Sequence, residues 1–445
     1  MSGLLQDFGE YASWANWTVG EVTDATLGVE STAASPAAAP LPTPLLRERN
    51  LAVQFVAVVM AAASTVAIAL VGTLSIGCHA AVMLVAKIGP LRTLYEALSG
   101  AYDRLLDQLA QKVLRDPRDT PALRLMIAIT FSVLPIFVAQ LALKKASPLL
   151  VAAFYLSLYG IRFQRFVRIF SVKHLEAHRP QGYFSGIYGK IFGRYVEFFL
   201  GYLYGNIPEL DRTVHVRLHH RENSGFEDNR FHAEYDRTSR LDFFRYLSGN
   251  VWTVLGIEPY LYFKARGDEA NCRRLLWGMG RYVIFFTALS IYEWRIGLLF
   301  ALVPLLCINF ITAMIAWVQH AFYDTRSPND YFANTVTLCD EVNFMNEGYH
   351  LAHHHRCGLH WTELPAHHER LRDKMRASGS LIFRDLDFIG LFLELTLIRR
   401  MDVLAEKLVP WEPLTHEERL ALLAKRTKPA TNRLGTTRAV HPGLI

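Results

Sequence analysis

The sequence predicts an all-α membrane protein. Two transmembrane helical hairpins and an extra N-terminal membrane segment are expected, capped by a cytosolic helical domain that gathers histidines into one cluster. Three observations carry this expectation. The 445-residue chain is 51% hydrophobic with a mean hydropathy of +0.15, apolar for a soluble protein and ordinary for one partly in a bilayer. Several long stretches hold no charged residue. Nine of the 17 histidines fall in three tight boxes plus one single position, each just outside an apolar segment.

Residues 1–50 are polar and mixed in charge, and 33–44 are rich in Ala and Pro, as in a mobile linker. No apolar core lies near the start, so no secretory signal peptide is expected, and Asp7, Glu10 and Glu21 argue against a transit peptide. Ser2 stands where myristoylation needs glycine. From Leu51 to Ala86 there is no Asp, Glu, Lys or Arg. A span takes about 20 helical residues. The run is read as two short spans turning near Gly72–Gly77, in preference to one long span with a re-entrant piece.

Residues 88–123 are polar with a helical pattern. A second uncharged run covers 125–143, and Lys144-Lys145 breaks it. A third begins near Pro148 and fades through Arg162, Arg165 and Arg168, which share one helix face and can snorkel to the water boundary. Residues 182–204 interleave aromatic rings with Lys190, Arg194 and Glu197, the pattern of an interfacial amphipathic helix. The aromatics of 183–204 and 252–262 are read as interfacial anchors, with the lining of an acyl tunnel as the alternative. Two further spans, 275–292 and 296–319, are separated by Glu293-Trp294-Arg295 and form a tight hairpin. A hairpin returns the chain to the side it left, so all the histidines come to one side.

The expected division is a polar N-terminus (1–50), the extra membrane segment and linker (51–120), a membrane core (125–375) and a cytosolic helical C-terminal tail (376–445). The tail carries basic Lys425, Arg426 and Lys428. Arg162, Arg165, Arg168 and Lys173 flank the first box, and the positive-inside rule then puts the boxes in the cytosol. In a eukaryote the membrane would be that of the endoplasmic reticulum, in a bacterium the cell membrane. The formal charge is +6, but 47 basic residues are diluted by 41 acidic ones without a basic stripe, so no nucleic-acid partner is expected. Five scattered cysteines without a CxxC argue against a disulfide framework and for a reducing compartment.

The boxes read His174-Leu-Glu-Ala-His178, His215-Val-Arg-Leu-His219-His220 and His350-Leu-Ala-His353-His354, with His320 as the single. His174 and His178 are one helical turn apart and can share a metal, and His215 and His219 have the same spacing. His220 points about 100° away from His219 and can serve a second ion. One HxxxH alone is ordinarily a surface accident. Three boxes and a single, all beside membrane segments on one side, point to metal. His79, His232, His360, His367, His368, His416 and His441 are given no role. Zinc structural sites favour Cys with His, and no HExxH is present. Haem would need paired histidines inside facing spans. Iron on nitrogen ligands with open positions, used to activate oxygen, fits best.

The order HxxxH, HxxxHH, HxxHH on two membrane hairpins resembles the membrane-bound non-haem di-iron desaturases and hydroxylases. Asn346-Glu347-Gly348-Tyr349-His350-Leu-Ala-His353-His354 is similar to the NEG[WY]HxxHH element of fatty acid desaturases. Trp361-Thr-Glu-Leu364-Pro365 resembles the W-x-x-L-P segment that follows it in acyl-lipid desaturases and carotenoid ketolases, and His320 matches a ligand many members place after the last span. The resemblance covers roughly 125–375. Two features depart from it: three residues precede the His pair of the second box, and the third box carries an extra His355.

The resemblance implies a di-iron histidine cluster held by His174, His178, His215, His219, His220, His320, His350, His353 and His354. Glu176, Glu347, Asp340 and His355 are candidates to receive imidazole N–H groups, with solvated surface charge as the competing role of the acids. It also implies O₂ as co-substrate, a lipid chain as substrate and an external electron donor, either cytochrome b5 or a ferredoxin with its reductase. Fatty acid desaturation is the leading expectation. Hydroxylation or ketolation of an alkyl, sphingoid or isoprenoid chain is the alternative, and a non-redox zinc-binding membrane protein the second.

Overall fold

The computed structural model describes residues 51–429 apart from 86–88, 161–163, 226, 325–329 and 341–342, and within 76–99 the backbone alone. Among the described residues, four helices are long and apolar enough to cross a membrane: Leu51–Ser75, Pro117–Ala142, Glu269–Tyr292 and Trp294–Gln319.

The first belongs to α1 (Leu51–Val85), one continuous helix of 35 residues. The turn expected near Gly72–Gly77 is not there. A glycine inside a helix costs about 1 kcal/mol relative to alanine. A turn in hydrocarbon would leave several backbone groups without partners at several kcal/mol each. With no proline in the run, the helix wins. After α2 (Gly89–Val113), α3 (Thr120–Ala142) makes the second span. Its hairpin partner α4 (Pro148–Tyr159) has only 12 residues. That is about 18 Å of helix, against a hydrocarbon core of about 30 Å, so this hairpin has one short arm.

The chain then turns into α5 (Gln164–Ala177), which carries the first box. The arginines before that box do not all snorkel. Arg165 turns inward, its Nη1 donating to Ser157 O at 2.8 Å and Ser132 Oγ at 3.0 Å, so it satisfies a carbonyl near the end of α4. Arg168 is exposed and lies over the Phe344 ring at 5.4 Å. Arg162 lies outside the described residues.

The single amphipathic helix expected over 182–204 is also corrected. Helix α6 (Gly186–Phe192) ends at Gly193 with φ +54, a conformation that L side chains rarely adopt. The chain resumes as a π-helical turn (Val196–Leu200) that dips between α4 and the third span. There Tyr204 donates to Leu158 O at 3.0 Å, and Tyr202 stacks on Tyr282 at 6.1 Å. Arg194 and Glu197, which read as a polar face, are buried. Arg194 pairs with Glu197 at 2.7 Å and with Glu209 at 2.9 Å, and Lys173 pairs with Asp211 at 2.9 Å. Such burial is tolerable because each charge has an opposite partner. Only α6 keeps an interfacial character, exposing Ile187, Tyr188 and Ile191.

Helices α7 (Arg240–Val254) and α8 (Ile257–Ala265) lead into α9 (Glu269–Tyr292), the third span. The last span begins at Trp294–Gly297, passes through a π turn and continues as α10 (Val303–Gln319). It is the core of the molecule: 78% of its most apolar stretch is buried, against 22–33% for the other three spans. Polar contacts fix it laterally. Asn309 Nδ2 donates to Ser64 Oγ of α1 at 3.0 Å, and Asn250 Nδ2 of α7 donates to Asn309 Oδ1 at 2.9 Å. At the hairpin end, the Tyr292 hydroxyl donates to Leu141 O at 2.7 Å. The α3–α4 and α9–α10 turns therefore lie together, at the end away from His320.

A small sheet follows α10, with β1 (Thr337–Leu338) parallel to β2 (Ile382–Phe383) and β2 antiparallel to β3 (Leu408–Val409). The C-terminal segment is stitched to the body by two buried arginines. Arg237 donates to Ala321 O at 2.9 Å and Arg426 O at 3.0 Å, while Arg426 reaches Phe322 O at 3.1 Å. Arg426 is thus not part of an exposed basic tail.

Two glycines of α9 test the packing of the dipping segment. A Cβ at Gly278 would lie 1.9 Å from Pro208 O, whereas one at Gly280 meets nothing within 4 Å. Gly280→Ala is expected to leave thermal stability unchanged or raised, by up to about 1 kcal/mol. Gly278→Ala should lower it by several degrees in a thermal melt. Equal melting points would contradict this contact.

Candidate metal centre

All nine histidines singled out in the sequence converge in the layer above the spans. They form two clusters whose nitrogens lie within 4.8 Å of one another: His174, His178, His215, His220 and His353 in one, and His219, His320, His350 and His354 in the other. The clusters share a wall, with the His220 and His354 ring centroids 4.3 Å apart.

The division follows from helix geometry. His174 and His178 come from the end of α5, one turn apart. The second box divides differently from the expected pairing of His215 with His219. Its stretch Arg212–His219 is π-helical, and His220 N–H bonds to His215 O, five residues back. A π turn stacks residues five apart, so His215 and His220 face the same cluster and His219 the other. The third box lies on α11 (His350–His355), where His350 and His354 are a turn apart and His353 points to the first cluster. His320 caps α10 and joins the second.

The residues before α11 make a tight corner. Met345 and Asn346 have φ of +53 and +56. Asn346 Nδ2 donates to Trp361 O at 3.1 Å. A Cβ at Gly348 would lie 2.1 Å from Leu338 O, which explains the glycine of that motif. Trp361 Nε1 in turn donates to Asp119 at 3.1 Å, and Asp119 also binds Arg179, just after the first box. One buried acid thus ties the first and third boxes together.

Several imidazoles have their second nitrogen fixed. His219 Nδ1 meets Asp228 Oδ2 at 2.6 Å and His354 Nδ1 meets Asn223 Oδ1 at 2.8 Å. His320 Nδ1 lies 3.4 Å from Thr335 Oγ1, whereas His174 Nδ1 is 3.6 Å from Glu347 Oε1, beyond hydrogen-bond distance. An oxygen acceptor on Nδ1 places the proton there and leaves Nε2 as a bare lone pair. The Nε2 atoms then face one another: His174 and His353 at 3.0 Å, His215 and His220 at 3.0 Å, His220 and His353 at 3.1 Å, and His320 and His350 at 3.3 Å. The Nε2 atoms of His178 and His354 are buried without hydrogen-bond partners. Burial first, and repulsion from neighbouring imidazoles second, hold His178, His215, His220, His320, His350, His353 and His354 well below the usual histidine range. They are neutral at physiological pH, the ligating form. Convergent imidazole nitrogens in a largely buried cage fit two transition-metal ions, one with five and one with four imidazoles.

The four outer candidates fare unequally. Glu347 lies behind His174 and also takes the Ser171 hydroxyl. Glu176 touches no imidazole and is no surface charge either: it is fully buried and accepts Glu197 N–H at 2.8 Å and Val196 N–H at 3.3 Å. Burial pushes its carboxyl up to about 8. Asp340 binds Asp385 N–H instead of a histidine. His355 Nδ1 faces His367 Nε2 at 3.0 Å, outside both clusters. Asp228 and Asn223 were not singled out by the sequence. Their only signal is position, a few residues after the second box in a polar stretch.

Metal content checks this geometry. His219→Ala and His353→Ala are expected to lose bound metal, one from each cluster. Asp228→Asn should weaken binding by about 10–100-fold, and His355→Ala should retain the wild-type complement. Elemental analysis of the purified variants gives the answer. Full occupancy in His219→Ala and His353→Ala would rule out the cage as a metal centre.

The fatty acid desaturase family model matches residues 146–385, more than half of the chain. No curated protein and no solved structure matches it. The matched region contains all three boxes, His320 and the last hairpin. The chain therefore belongs to the fatty acid desaturase family and is a membrane oxidoreductase of the desaturase/hydroxylase type.

Proposed function

We propose that the two clusters hold two irons and that the protein is an O₂-dependent lipid desaturase that introduces a double bond into an acyl chain. The observation that carries this is the pair of adjacent, all-imidazole clusters at the end of a buried membrane span. When bound, the iron pair supplies the activation of O₂ needed to remove hydrogen from an unactivated C–H bond. The chain's own residues do the rest. Imidazole ligands, unlike carboxylates, bring no negative charge and leave the metal charge undiminished, which suits an electrophilic centre. Asp228, Asn223 and Thr335 hold three rings in orientation through Nδ1. Burial of His219, His320, His350 and His353 keeps water from the centre. Electrons come from a separate donor, a cytochrome b5 or a ferredoxin with its reductase.

Mass analysis of lipids after incubation of the iron-loaded protein with O₂ and a reduced donor tests the reaction. Loss of two hydrogens is expected, with NAD(P)H alone giving no turnover. Gain of one oxygen would make the protein a hydroxylase on the same scaffold. An unchanged lipid pool together with zinc in the cage would overturn the redox reading.

The proposal also places the cage in the cytosol. In a background without native cysteines, Lys145→Cys at the hairpin turn should react with an impermeant thiol reagent from outside or from the lumen. Ala377→Cys, exposed on the cage side, should be protected. The reverse pattern would invert the orientation.

A further inference from the structure

A piece of the C-terminal segment expected in the cytosol returns to the last span. The short helix Phe388–Phe392 and the π turn Leu393–Leu397 form one apolar stretch, just beyond the end of the family match at residue 385. The Phe392 ring meets Phe310 of α10 at 6.0 Å and Phe243 of α7 at 4.7 Å, and Thr396 Oγ1 accepts Trp317 Nε1–H at 3.1 Å. These partners give the stretch a depth. The span Trp294–Gln319 has 26 residues, about 39 Å of helix, against a hydrocarbon core of about 30 Å. Phe310 lies about 24 Å along it from Trp294. Wherever the surplus of about 9 Å falls, Phe310 stays inside the hydrocarbon. Trp317, about 35 Å along, lies close to the boundary on the cage side. The Phe388–Leu397 stretch therefore sits at the depth of the leaflet next to the cage.

Its outer face is apolar and uncovered by protein. Leu393 and Ile398 are exposed, and so is Leu241 at the start of α7. Arg240 Nε donates to Leu397 O at 2.9 Å, which brings Leu241 beside Ile398. The end of the stretch is also satisfied within the chain, as hydrocarbon requires: Ile398 N–H donates to Leu393 O and Arg400 N–H to Glu394 O, each at 2.7 Å. The rim is basic. Arg245 pairs with Asp242 at 2.7 Å and Arg400 with Glu394 at 2.9 Å, so these two charges are already met. Arg240 and Arg399 are exposed, and neither has a carboxylate partner among the described residues. An arginine at such a boundary lays its stem on apolar surface and turns its guanidinium to the phosphates. A water-soluble partner does not reach a face at this depth.

We propose that Phe388–Ile398 is a further membrane element, seated without crossing in the leaflet on the cage side, and that Arg240 and Arg399 bind anionic lipid headgroups at its rim. The partner is the bilayer itself, through lipids of net negative charge. Each unpaired arginine strengthens such binding by about fivefold. The C-terminal segment is then held by lipid on one side and by α10 on the other, close to the end of the span that carries His320. The inference rests on packing and charge alone and needs neither metal nor reaction.

The test uses the full-length protein in nanodiscs, without native cysteines, and an environment-sensitive fluorophore on one introduced cysteine. At Leu393→Cys and Ile398→Cys, spin-labelled acyl chains should quench the probe as they do at Phe131→Cys on the exposed side of α3, and aqueous iodide should not. Ala377→Cys, exposed away from the spans, should show the opposite. At Ile398→Cys, spin-labelled phosphatidylglycerol should quench at a several-fold lower mole fraction than spin-labelled phosphatidylcholine. Arg240→Gln and Arg399→Gln should each reduce that preference by about fivefold. Arg240 also holds Leu397 O, so Arg399→Gln decides the matter if Arg240→Gln does not fold. Iodide quenching at Leu393→Cys and Ile398→Cys equal to that at Ala377→Cys would overturn the membrane seat. Equal quenching by the two lipids, or an unchanged preference in Arg399→Gln, would overturn the headgroup site. The readout involves no turnover, so it stands whatever reaction the cage performs.

Discussion

The rest of the polar layer depends on nine imidazoles packed so closely that their Nε2 atoms face one another at 3.0–3.3 Å inside a largely buried cage. Much of the polar layer can be understood from this constraint. Protonating the rings would satisfy some contacts, but burial and mutual repulsion keep seven of them neutral. A cation in each cluster satisfies all contacts at once.

The ties around the cage come from a few buried polar groups. Asp119 binds both Arg179 and Trp361, joining the segments after the first and third boxes. Arg237 and Arg426 sew the C-terminal segment to the loop that follows His320. Asp228 fixes His219 and also accepts Ser224 N–H at 2.7 Å, so ring orientation and loop shape depend on one carboxylate. Each charge would be costly if orphaned, and each is satisfied several times over. The π turn of the second box adds the last element: one extra residue per turn lets a single short helix feed both clusters.

Much of this was legible in the residues and some was not. The last two spans and the tight hairpin follow from uncharged runs interrupted at Glu293-Trp294-Arg295, and helices lie there. The histidines that would converge were legible from their spacing beside those runs. The partition of the second box was not, because a π turn leaves no mark in a spacing that reads equally well as α. The continuity of α1 is hidden because two glycines read as turn formers, whereas hydrocarbon penalises any turn more than it penalises a glycine in a helix. Arg194 and Glu197 looked like a solvated face because pairing with a distant Glu209 cannot be read from local pattern. Two-residue strands are too short to show alternation.

The most direct test of the central claim is X-ray absorption at the iron edge of the purified, iron-loaded protein. The account predicts first shells of imidazole nitrogen with few oxygens, a second metal as a near scatterer, and no sulfur. A single isolated iron, a sulfur-containing shell, or iron with predominantly carboxylate oxygen ligands would contradict it.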